Sequence, residues 1–214
     1  MTSHSLIYEN GWLDRDTLIV SQILYKNRFT LQDFEEASTE IVFSNSSAGS
    51  VFHDNLSLEK VSLNLGEYKH LYQESKGLKL SWNSRLGKYD MILNPNLIRV
   101  SSYKFFSFRC GQSFENKNSK NKEQEFTIVF EDGRNSESFS SKNFGSLLYP
   151  SETVHAALER KTVMQSFLIP LKKLVDRGIN LDSLQKISFK FDRSDSGVLY
   201  FDDIVFCSDG SLVI

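Results

Sequence analysis

The chain has 214 residues, with 25 basic and 27 acidic side chains and a formal net charge of −2 at neutral pH. This balance excludes the broad cationic field of a nucleic-acid or anionic-lipid binder. Seventeen Phe and eight Tyr against three Pro favour strands, because flat aromatic side chains pack well on pleated, half-buried surfaces, and they exclude disorder over most of the chain.

No apolar run reaches the roughly 18–20 residues that cross a bilayer, so membrane insertion is not expected. Met1-Thr-Ser-His-Ser-Leu-Ile-Tyr8 has neither the charged start nor the apolar centre of a signal peptide. One sandwich-sized core is expected over residues 31–214, with residues 1–30 as an N-terminal extension or edge segment. Within that extension, Thr17–Val20 and Ile23–Tyr25 could add an edge strand.

From Leu31 the pattern sharpens. Leu31–Glu36 opens the domain, and Thr39–Phe43 reads as a strand before the turn-rich Ser44–Ser50. Gly77-Leu-Lys-Leu-Ser-Trp82 places Leu78, Leu80 and Trp82 on one face and Lys79 and Ser81 on the other, the mark of a strand with one wet side. Tyr89–Leu93 follows a turn. Tyr103–Cys110 then sets Phe106, Phe108 and Cys110 on a core face and Tyr103, Phe105, Ser107 and Arg109 on the opposite one.

Phe114–Glu125 is a polar low-complexity loop expected to be mobile. Strand patterning resumes at Phe126–Phe130, and Glu131–Arg134 reads as a hairpin turn. Ser151–Arg160 has helical spacing over barely two turns. Leu171–Arg177 predicts a second short helix, ended by Gly178. Phe167–Leu171, Ile187–Asp192 and Gly197–Phe206 complete the strands. Many short strands separated by turns predict an all-β, antiparallel β-sandwich with a few short helices.

Chemistry is harder to read. His4, His53, His70 and His155 show no metal spacing, and no nucleophile elbow or phosphate loop is present. Cys110 and Cys207 are too few for a disulfide framework and read as small buried hydrophobes, with a single Cys110–Cys207 bridge as the alternative. Asp33, Glu35 and Glu36 near the start, and Asp202-Asp203 at the end, are carboxylate groups that a hard cation such as calcium would relieve; solvated strand ends are the alternative. Tyr103, Phe105 and Arg109, with Gln112 just beyond and Lys190 on the polar face of its strand, form the candidate ligand platform, because exposed rings suit stacking on sugars or contacts with protein.

The strand pattern from Leu31 to Phe206 resembles galactose-binding-like jelly rolls: the carbohydrate-binding modules of bacterial endoglucanases, the complex I intermediate-associated protein family, and terminal modules of secreted bacterial hydrolases. The resemblance is carried by Asp33-Phe-Glu35, Gly77–Trp82, Tyr103–Gln112, Phe126–Gly133, Val163–Leu171 and Gly197–Phe206 with its Asp202-Asp203-Ile204. It implies a noncatalytic carbohydrate-binding accessory module in an extracellular or periplasmic setting, with an oligo- or polysaccharide partner and a parent hydrolase. By the same resemblance, Glu35 and Asp202 or Asp203, with Asp33, would hold a structural calcium ion. The chain departs from these modules in lacking a recognisable row of exposed Tyr or Trp. A protein-interaction or assembly domain is therefore the second reading, and an enzyme using Glu131 and Asp132 with Arg109 the third.

Overall fold

A computed structural model describes residues 24–35, 41–63, 75–113, 117–119, 122–150 and 164–211. Two antiparallel sheets form a jelly-roll β-sandwich. The strands are β1 (Leu24–Gln32), β2 (Gly49–Asp54), β3 (Ser57–Leu63), β4 (Ser75–Trp82), β5 (Gly87–Leu93), β6 (Phe105–Gln112), β7 (Thr127–Glu131), β8 (Ser136–Ser140), β9 (Gln165–Pro170), β10 (Lys186–Phe191) and β11 (Gly197–Ser211). One sheet, named here for β11, runs β3-β4-β11-β6-β9, with β1 paired to the C-terminal half of β11. The other, named for β10, runs β2-β5-β10-β7-β8.

The period-two alternation decides what enters the core. Phe106 and Phe108 of β6, Ile187, Phe189 and Phe191 of β10, and Phe201 and Phe206 of β11 are all fully buried. The Phe108 ring meets Phe167 at 4.9 Å and Phe189 at 5.0 Å between ring centres, and Phe189 meets Phe201 at 5.1 Å. These contacts knit the two sheets together. Trp82 stacks on Phe191 at 4.5 Å while its indole N–H donates to the Ser194 carbonyl, so its expected core position holds. Gly197 packs on that indole, and a Cβ there would lie 2.3 Å from the ring.

Local signals explain the connections. Asp132 closes the β7–β8 hairpin with Gly133 at φ +86°, a left-handed position that suits glycine. The short helix α1 (Lys172–Val175) ends near Gly178 at φ +90°, as expected. The boundary placed after residue 30 falls inside β1, which pairs with β11 on both sides of it. Ile41–Phe43 joins no ladder, although Phe43 is buried. The helix expected at 151–160 and the strand at 17–20 lie outside the described residues.

The polar loop after β6 is anchored where it is described. Asn118 accepts the Val198 N–H at 2.7 Å and donates to the Val198 carbonyl at 2.8 Å, imitating a strand partner for β11. Cys110 faces the core while Cys207, in register with Phe105, faces the other side of the same sheet, so the two thiols cannot meet; both are buried. Burial pushes the Cys110 thiol pKa up.

The ring layer yields a stability prediction. Phe189→Ala removes a ring that meets Tyr89, Phe106, Phe108, Phe126 and Phe201, and should cost about 3–5 kcal/mol in urea denaturation. A loss below about 1 kcal/mol would contradict this packing.

Candidate functional site

The residues expected to form one platform occupy three different environments. Arg109 lies on the outer face of the β11 sheet, opposite Asp202 in register. Its Nη1 donates to Asp202 Oδ2 at 3.2 Å and to Asp203 Oδ2 at 3.1 Å. Two consecutive strand residues normally point to opposite faces, but a register shift between Asp202 and Val205, with Asp203 at φ +49°, brings both carboxylates to one guanidinium. Asp202 Oδ1 also accepts the Asp203 N–H at 2.8 Å.

Tyr103 and Phe105 are half-buried, and the Tyr103 ring stacks on the core residue Phe206 at 6.0 Å. Beside them Ser107, Val205 and Cys207 are fully buried, although all three face away from the core. Among the described residues this face is closed at its centre by these side chains. Gln112 is also withdrawn: it is buried, and its Nε2 donates to the carbonyls of Lys122 and Leu147 at 2.8 and 2.5 Å. It ties loops together at the end of the core. Lys190 belongs to the opposite sheet, between Lys88 and Thr127 in register, and cannot share a ligand with Arg109.

The expected calcium ligands already have protein partners. Calcium takes 6–8 oxygens converging at 2.3–2.6 Å. Here the Asp202–Asp203 pair is bridged by Arg109, and Glu35 Oε1 accepts the Lys76 N–H at 2.9 Å. Asp33 Oδ1 accepts from Ser44 Oγ at 3.2 Å and from the Glu35 N–H at 3.4 Å. Among the described residues no three His, Cys, Asp or Glu side chains are grouped to hold a metal.

The third reading also comes apart. Glu131 pairs with Lys186 at 2.7 Å on the β10 sheet, while Asp132 accepts backbone N–H groups from Asn180, Asn135 and Arg134. Those three bonds hold the Asp132 carboxyl down at about 2, fixing it as a turn anchor. Arg109 lies on the other sheet.

The sequence did not single out the outer face of the β10 sheet as a unit. Its middle row runs Phe52, Asp90, Ser188, Val129 and Ser138 from edge to edge, and the adjacent row runs Asp54, Lys88, Lys190, Thr127 and Ser140. Phe52 is 60% exposed, whereas Asp90 and Ser188 are 8% and 0% exposed. Lys88 Nζ meets Asp90 Oδ2 at 2.5 Å, yet Asp90 Oδ1 and Ser188 Oγ are buried without a hydrogen-bond partner. Unpartnered buried polar atoms each carry a desolvation cost, and two of them occupy neighbouring register positions beside an exposed ring. Lys190 is half-buried at their flank.

Comparison with solved structures gives the fold an independent reference. A family 30 carbohydrate-binding module of a Clostridium thermocellum cellulosomal cellulase superposes with a TM-score of 0.53 at 14% identity, covering 87% of this chain and all of the module. Another structure of a family 30 module gives 0.53 at 13% identity, covering 86% and 100%. What they share is the fold. An exo-β-agarase contains the same sandwich, with a TM-score of 0.51 at 12% identity, over 86% of this chain but 26% of the agarase. No protein-family model matches the chain, and no curated protein sequence does.

Asp202 generates a pH prediction. Burial, and secondarily the Asp203 charge, push its pKa from 3.8 up to about 8, with Arg109 opposing the shift. The unfolded chain ionises this group near its ordinary value, so folding stability falls as pH rises from about 4 to about 8. In thermal melts, Asp202→Asn should gain on the wild type across that window and hold the gain above it; a difference independent of pH would contradict the shift.

Proposed function

We propose that the chain is a noncatalytic carbohydrate-binding module whose glycan lies on the outer face of the β10 sheet, across Phe52, Asp90, Ser188 and Lys190. The observation that carries this reading is the Phe52 ring, 60% exposed on this face, with the half-buried Lys88 and Lys190 in the adjacent row. A sugar supplies what both features want. Its apolar C–H face covers the exposed ring, and its hydroxyls accept hydrogen bonds from the half-buried Lys88 in the adjacent row. Lys190 adds a donor to the ring oxygens or hydroxyls at the flank.

The fold shared with cellulase-borne modules supports this class of ligand. The agarase, in which the sandwich makes up about a quarter of the chain, supports service beside a hydrolase domain, in the extracellular setting where polysaccharides are met. Among the described residues no helix is long and apolar enough to cross a membrane.

Lys190→Ala separates binding from packing. Removing a half-buried side chain on the outer face should leave the melting temperature nearly unchanged, while retention on cellulose, β-glucan or agarose weakens. Phe52→Ala and Asp90→Ala should each weaken affinity roughly 5- to 150-fold, the equivalent of about 1–3 kcal/mol. Failure of every polysaccharide to retain the wild type, or retention unchanged in all three variants, would refute the assignment.

A further inference from the structure

We infer that Arg109 is this chain's own fixed cation at the Asp202–Asp203 pair, so that the sandwich holds these carboxylates without a metal ion. The inference is independent of the glycan face, which lies on the opposite sheet.

The backbone is arranged for this contact. β6 presents Arg109 on the outer face directly opposite Asp202, and the β11 bulge turns the next carboxylate to the same side. The bulge is held at Asp203, a non-glycine residue at φ +49°, a conformation that costs energy in L-residues. Two contacts made by Asp203 stabilise it: its N–H donates to Asp202 Oδ1, and its carboxylate receives Arg109. A guanidinium is planar and permanently charged and carries five donors, so it can serve two acidic groups at once.

Its burial points the same way. The Arg109 side chain is 14% exposed and that of Asp202 3%, so the guanidinium and this acid are largely removed from water. The remaining acidic groups are turned to other work: Glu35 to the Lys76 backbone, Asp33 to Ser44. A divalent ion here would have to expel the guanidinium from both aspartates.

Thermal melts with chelator and with millimolar calcium, together with calorimetric calcium titration, test this. The wild type should melt at the same temperature in both conditions and show no calcium-binding isotherm. Arg109→Met should lower the melting temperature by about 6–20 °C, the loss expected when one partner of a buried pair is removed from a chain of this size. Arg109→Met combined with Asp202→Asn should recover part of that loss, because the buried acid left beside Asp203 without a cation is gone. If Arg109→Met fails to fold, the double variant and the wild-type calcium response still decide. A calcium-induced rise of several degrees in the wild type, or an Arg109→Met variant that melts like the wild type, would overturn the inference.

Discussion

The interlocked phenylalanine layer between the two sheets is the contact on which everything else depends. Phe108 of β6 and Phe189 of β10 meet at 5.0 Å, and each lies on a strand whose neighbouring residues face out. Because side chains alternate with a period of two, a one-residue slip of β10 would send Ser188 and Lys190 inward and Phe189 into solvent. The same register that buries the rings thus presents the polar residues of the candidate glycan face. On β6 it buries Phe106 and Phe108 and turns Arg109 outward to the aspartates.

Much of the fold was legible because central strands carry that alternation in plain form. Gly77–Trp82, Phe126–Phe130 and Ile187–Asp192 fall largely within β4, β7 and β10, and Gly178 marks the end of a helical turn as read. β2, β3 and β8 were not legible. They are short or lie at sheet edges, and β2 is mostly exposed, so little apolar burial shaped their sequences. Ile41–Phe43 misled in the opposite way, since Phe43 is buried by a segment outside any ladder.

The candidate sites were less legible, for a physical reason. Alternation tells which residues of one strand share a face, and it grouped Phe105 with Arg109 correctly. It does not tell which strand lies alongside, so Lys190 was joined to residues of the other sheet, and the pairing of Arg109 with Asp202 and Asp203 depended on a bulge invisible in spacing. Gln112, at the end of β6, lies in the core layer opposite Leu199 and bonds to loop carbonyls that arrive from distant parts of the chain. Phe52 did leave a signal: a large ring in a strand otherwise made of Ser50, Val51, His53 and Asp54 gains little from an edge position unless something covers it.

The two outer surfaces therefore have different characters. That of the β11 sheet is sealed, with buried Val205 and Cys207 and an internal ion cluster. That of the β10 sheet combines an exposed ring with two half-buried lysines, Lys88 and Lys190, a surface suited to a hydroxyl-rich partner. The most direct measurement is a titration of cello- and agaro-oligosaccharides into isotopically labelled protein, followed by backbone amide NMR shifts. The account predicts saturable shifts clustered at Phe52, Asp90, Ser188 and Lys190, with the Arg109–Asp202 region unmoved. Shifts centred on Tyr103, Phe105 and Arg109, or none with any glycan, would contradict it.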